Sequence, residues 1–106
     1  MKFYNKVILV GNLTENSDTR YTPSGSQVTK LRLQIDPNRE SRDVLAPQII
    51  DVITFDKDSP AGDRSFSKGS WVLVEGRIQT RSWKTMEGQK RSKLEIIAER
   101  IYPLER

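Results

Sequence analysis

The chain has 106 residues, with 18 Lys and Arg against 14 Asp and Glu, and contains neither cysteine nor histidine. This describes one small basic domain over residues 1–106 and excludes a second full domain, disulfides, thiolate chemistry, the usual zinc sites and imidazole acid–base catalysis. About a quarter of the residues are Ile, Leu, Val or Phe, above the roughly 20% floor for a foldable chain, so the core is thin and would gain from apolar surface shared between subunits.

The longest apolar runs, Val7 to Val10 and Trp71 to Val74, are far short of the ~20 residues that span a bilayer. Met1 to Lys6 lacks the apolar stretch and small-residue cleavage site of a secretory signal. No membrane partner is expected, and the predicted location is the cytoplasm.

In chain order, Lys6 to Leu13 is apolar at both parities, which predicts a strand covered on both faces, with Gly11 marking a bulge or sharp bend. Thr22-Pro23-Ser24-Gly25 carries the chemistry of a tight turn and predicts a hairpin or corner. From Val28 to Asp36, Leu31, Leu33 and Ile35 alternate with Lys30, Arg32, Gln34 and Asp36, the pattern of a half-buried strand with its basic residues on the wetter face.

Gln48 to Phe55 reads as a third strand, with Ile49, Ile53 and Phe55 on one parity and Ile50 and Val52 on the other. Trp71 to Trp83 and Arg91 to Tyr102 form the last hairpin, turning at Glu87-Gly88. Between strands lie Asp36 to Pro47 and Asp56 to Ser70, both charged, both containing proline and without helical periodicity. The expected fold is all-β: a small closed or partly closed five-stranded antiparallel barrel, with long charged hairpin loops and little or no helix.

Basic charge is concentrated in the last hairpin, where Arg77, Arg81, Lys84, Lys90, Arg91 and Lys93 stand against Glu87 alone. If Arg77, Gln79, Arg81 and Trp83 project from one strand face, successive members lie ~6.8 Å apart, close to the repeat of an extended nucleic-acid backbone. Charge would meet phosphates while the indole stacks on a base. The plainer alternative is a solubilising charge face with Trp83 packed under the hairpin. Phe55 beside Lys57 repeats the pairing of aromatic and cation, and core packing is its plainer alternative.

Asp56, Asp58 and Asp63 share one loop, but Pro60 occupies an oxygen-donor position of the calcium-binding spacing and Ser67 stands where its bidentate acid belongs. A solvated loop is the better reading. No metal, cofactor or catalysis is expected.

Several blocks then become recognisable together: Asn5-Lys6-Val7-Ile8-Leu9-Val10-Gly11-Asn12-Leu13, Arg20-Tyr21-Thr22-Pro23-Ser24-Gly25, Lys68-Gly69-Ser70, Val74-Glu75-Gly76-Arg77 and Thr80-Arg81-Ser82-Trp83. In this order and spacing, the stretch from Asn5 to Ile101 resembles the bacterial single-stranded DNA-binding protein family. The resemblance implies an OB-fold, assembly as a homo-oligomer, usually a homotetramer, and binding of single-stranded DNA in replication, recombination or repair. It puts Phe55 and Trp83 on stacking positions. Arg20, Arg32, Lys57, Lys68 and Arg81 fall on or beside positions that meet the strand, with Arg77 and Lys84 adding to the basic hairpin. Trp71 is not a family aromatic and is left open between core, interface and an added platform.

Departures from the family pattern are also legible. Two further tryptophan positions are filled by Arg39 and Ile49, and each lost platform is worth ~1–3 kcal/mol, with Arg39 able to compensate in part through its guanidinium. The family's helix between the third and fourth strands is replaced by the loop around Pro60-Ala61-Gly62. The sequence reaches Leu104-Glu105-Arg106 without the flexible linker and acidic tip that recruit replication proteins, so it reads as a tailless member. These departures point to an alternative: an adaptor related to the primosomal replication proteins, usually dimeric and binding single-stranded DNA together with protein partners. An RNA-binding OB domain is a third reading.

Overall fold

The computed structural model describes residues 1–36, 48–55 and 65–105. Among these, the chain forms six strands and no helix: β1 (Val7–Leu13), β2 (Asp18–Tyr21), β3 (Gln27–Asp36), β4 (Gln48–Phe55), β5 (Trp71–Lys84) and β6 (Lys90–Leu104). They lie in the order β1-β5-β6-β4-β3-β2, and β1 also pairs with β3, closing the sheet into a ring from which β2 extends as an extra edge.

The barrel expectation is met with two additions. Asp18–Tyr21 is a strand, paired antiparallel to β3 through the hairpin at Thr22 to Ser26. The ring is antiparallel except at one seam, where β4 runs parallel to β6 with Val52 opposite Ile96 and Ile53 opposite Ile97. The loop around Pro60-Ala61-Gly62 and the acidic cluster Asp56, Asp58 and Asp63 lie outside the described residues.

Alternation decides what fills the ring. Leu13, Leu31, Leu33, Val52, Val72, Val74, Ile96, Ala98 and Ile101 point inward and are buried with Phe66. Gly11 pairs with Val72 of β5 just before β1 also meets β3 at Asn12, and a Cβ there would strike the Gln34 carbonyl. Gly76 occupies the register shift between β5 and β6, packed against the Ile97 carbonyl. Both positions need the missing side chain so that two backbones can approach.

Both predicted turns form. Gly25 N donates to Thr22 O and Thr22 N to Ser26 O, each at 2.8 Å; Gly88 N donates to Thr85 O and Thr85 N to Gln89 O, each at 2.9 Å.

The first strand corrects one expectation. Val7 and Leu9 pack against the core, but Ile8 and Val10 are exposed, so within this chain β1 is covered on one face only.

Candidate nucleic-acid interface

The outward side chains of five strands make one continuous surface. In β4 these are Ile49, Asp51, Ile53 and Phe55, opposite Gln34, Arg32, Lys30 and Val28 of β3. Asp18 and Arg20 of β2 flank Lys30 and Val28. Across the parallel seam, β6 supplies Lys93, Glu95 and Ile97, opposite Arg81, Gln79 and Arg77 of β5.

A groove of about 420 Å³ crosses this surface, lined by Asp18, Arg20, Val28, Lys30, Ile53, Phe55, Gln79, Arg81, Glu95 and Ile97. Val28, Ile53, Phe55 and Ile97 give it an apolar floor, while Arg20 and Lys30 stand on one wall and Arg81 on the other. A flat apolar floor between cations suits a base and its flanking phosphates. Phe55, 38% exposed, lines the groove rather than disappearing into the core.

At the hairpin tip a second concavity of about 520 Å³ is lined by Ser82, Trp83, Lys84, Lys90, Arg91 and Ser92. Arg81 joins the two. Its guanidinium lies 5.0 Å from the Trp83 ring centroid, and its Nε lies 3.3 Å from Glu95 Oε2. Trp83 is 42% exposed, so the indole is a surface platform with a cation over it, not a residue packed under the hairpin.

Two carboxylates beneath these cations escaped the sequence reading. Asp51 and Glu95 are each only 3% exposed. Each immediately precedes a residue of the Val52–Ile96 pair, so they occupy matching positions across the seam. Lys93 Nζ donates a hydrogen bond to Asp51 Oδ2, Lys30 Nζ lies 3.5 Å from the same oxygen, and Arg32 Nε lies 3.4 Å from Oδ1. Burial alone would raise the Asp51 carboxyl, but the Lys93 hydrogen bond and the charges of Lys30 and Lys93 outweigh it and hold the group below its ordinary 3.8. The available signal was an acid inside an apolar run: Asp51 follows Ile49-Ile50 and precedes Val52-Ile53, and Glu95 precedes Ile96-Ile97-Ala98.

The remaining sequence-derived positions scatter. Arg32 lines neither concavity and is held 3.4 Å from Asp51 Oδ1, beside Lys30 on the same strand face. Arg77 is outside both concavities, 3.9 Å from Glu99. Lys68 belongs to the turn before β5, where its backbone N donates to Asn16 Oδ1 at 2.8 Å, and lines neither concavity. Lys57 and Arg39 lie outside the described residues. Ile49 remains on the outer face, 42% exposed and without a ring to stack. Trp71 is half-buried between Asn12 and Leu104 in register, away from the groove. Ser65-Phe66-Ser67-Lys68 has a Ser-x-x-Lys spacing, but it runs irregularly into a turn and lacks the helix that would bring the pair onto one face.

Comparisons with known proteins bear on the family and the fold. The "Single-stranded DNA-binding protein" of Wolinella succinogenes is 38% identical over 105 residues, spanning 96% of this chain and 65% of the relative. That of Thermotoga maritima is 35% identical over 101 residues, spanning 92% and 72%. A crystal structure of a deletion mutant of the single-stranded DNA binding protein from Thermus aquaticus superposes with a TM-score of 0.74 at 32% identity, covering 96% of this chain and 51% of that one. The chain thus spans somewhat less than two thirds of the length of the Wolinella relative. Its five-stranded ring is an OB-fold, and with the family pattern matched over residues 4–104, the chain belongs to the single-strand binding protein family.

Proposed function

We propose that this protein binds single-stranded DNA without strong sequence preference, as a non-catalytic component of DNA replication, recombination or repair in the cytoplasm. The observation that carries this reading is the groove itself: an apolar floor ending in Phe55, cations on both walls, and continuation through Arg81 to the exposed Trp83. Stacking accepts any base and phosphate contacts ignore sequence, so such a surface discriminates single from double strands. Arg20, Lys30, Arg32 and Arg81 supply the phosphate contacts nearest the groove. Arg77, Lys84 and Lys68 are assigned to the path beyond it, and Lys57, outside the described residues, is kept as a strand contact on the family resemblance alone.

We further propose that copies of the chain associate. On the outer face of β1, β5 and β6, Val10, Leu73 and Tyr102 form one cross-strand row, and Asn12, Trp71 and Leu104 form the next. Ile8 lies beside them, and Ile8, Val10, Tyr102 and Leu104 are all exposed in the single chain. Such a contiguous apolar strip marks an association surface, and a homotetramer is the assembly expected from the family resemblance. Light scattering that finds only monomer would refute this part.

The binding test is a tryptophan-fluorescence titration with oligo(dT), beside duplex DNA and matched RNA, at low and moderate salt. Trp83 and Trp71 are the only indoles, so a Trp71→Phe control isolates Trp83. Quenching by oligo(dT) that persists at moderate salt, with weak duplex binding, is the expected result. Equal, salt-fragile binding to single strand and duplex would refute the reading. In that case, tight binding to a primosomal helicase would favour the adaptor, and preference for RNA the third reading.

A further inference from the structure

The outward row of β4 is apolar except for Asp51, and that acid lies beneath three cations of the outer face. A buried carboxylate there repels phosphate, so its presence needs a compensating gain. Its neighbours supply one. Lys30 and Arg32 of β3 and Lys93 of β6 converge on its two oxygens from both sides of β4. Their side chains remain 43%, 48% and 39% exposed. Each cation therefore has one side tied to Asp51 and the other open to solvent.

We propose that Asp51 is a positioning residue for strand binding, holding Lys30, Arg32 and Lys93 as one preformed phosphate-binding cluster. This rests on the reading of the outer face as a single-strand surface. Three cations around one carboxylate leave positive charge in excess. Long lysine and arginine side chains lose rotamer freedom when a ligand fixes them, and Asp51 moves that loss from binding to folding. Pairing from two separate strands also sets the spacing of the three head groups, which the sheet holds rigid. Two effects of opposite sign thus meet at one atom group: repulsion of phosphate and ordering of its partners.

The sign of one substitution separates them. Asp51→Asn keeps the shape and makes the protein one unit more positive, so a carboxylate that merely repelled DNA would give tighter oligo(dT) binding when removed. If Asp51 positions the cluster, binding weakens by about tenfold, the order expected for re-immobilising one or two released side chains. Asp51→Glu, which keeps the charge, should recover part of the loss. In a Lys93→Gln background the Asp51→Asn effect should shrink, because one of its partners is already gone.

A measurement on the unmodified protein guards against a variant that fails to fold. By nitrogen-15 NMR of lysine ammonium groups without DNA, Lys30 and Lys93 should be restricted while Lys84, at the hairpin tip, moves freely. Equal mobility of all three, or unchanged or tighter binding by folded Asp51→Asn, overturns the proposal while leaving single-strand binding intact. Failure of the wild-type protein to bind oligo(dT) overturns both.

Discussion

Replacing Trp83 with alanine removes the exposed ring over which Arg81 lies, and the geometry sets what should follow. A base stacked on an aromatic side chain contributes ~1–3 kcal/mol by alanine substitution. One face of this indole is shared with the Arg81 guanidinium at 5.0 Å, leaving a single face for a base, so the lower part of that range applies. A loss of ~1–2 kcal/mol is about 5- to 30-fold in affinity. The phosphate contacts should survive, because Arg81 remains tethered 3.3 Å from buried Glu95 when the ring is gone. If about four phosphates are neutralised per subunit, log affinity falls with log salt at a slope of about −2.8, and Trp83→Ala should leave that slope unchanged. Arg81→Ala should flatten it by about 0.7. Anisotropy of a labelled oligo(dT) over a salt series measures both quantities without relying on the lost indole. An affinity loss under about twofold, or a slope change equal to that of Arg81→Ala, would refute the division between stacking and charge.

Three further outcomes concern stability. Gly76→Ala places a methyl group against the Ile97 carbonyl and only 3.0 Å from Ala98 Cα, both backbone that cannot swing aside; calorimetry should show a loss of ~2 kcal/mol, lowering Tm by about 10 °C. Thr54 Oγ1 is buried without a hydrogen-bond partner, so Thr54→Val should raise stability by ~1 kcal/mol in denaturant titrations, and a loss would mean the hydroxyl is satisfied in solution. The Asp51 carboxyl is depressed by Lys93 and Lys30 against its burial; its stabilising contribution is therefore complete above its ordinary 3.8 and disappears as pH falls through the lowered folded value. Unfolding free energy followed through that acidic window should fall less steeply in Asp51→Asn, and parallel profiles would contradict the assignment.

Alternation carried most of the fold because inward and outward positions differ in chemistry. Leu31, Leu33 and Ile35 announced their strand, and Thr22-Pro23-Ser24-Gly25 its turn. β2 was not legible: Asp18-Thr19-Arg20-Tyr21 has no apolar face, and it is a strand because it pairs with β3, helped by a 3.0 Å hydrogen bond between the Thr19 and Thr29 hydroxyls. The parallel seam was equally hidden, since periodicity identifies strands without naming their neighbours. For β1, two apolar parities were visible but not what covers the second. The site shows the same limit. Its aromatics and cations stood out, whereas Asp51 and Glu95 look like ordinary charge balance until the sheet places them under the cations.

The closure of the ring also bears on how the chain folds. β5 and β6 join through a short turn and pair from Lys84–Lys90 to Trp71–Leu104 with one register shift at Gly76, so this hairpin requires little loop-closure entropy and can assemble first. The seam between β4 and β6 joins segments far apart in the chain, through the Val52–Ile96 and Ile53–Ile97 pairs among the described residues. Non-local contacts of this kind bear their entropic cost before they return stabilisation, and they slow folding. The basic hairpin is therefore expected to form early, while the groove, lined from β2, β3, β4, β5 and β6 together, needs the closed seam. A nascent or partly unfolded chain would display much of the charge of the finished protein without its stacking floor, and would hold nucleic acid only by contacts that salt dissolves.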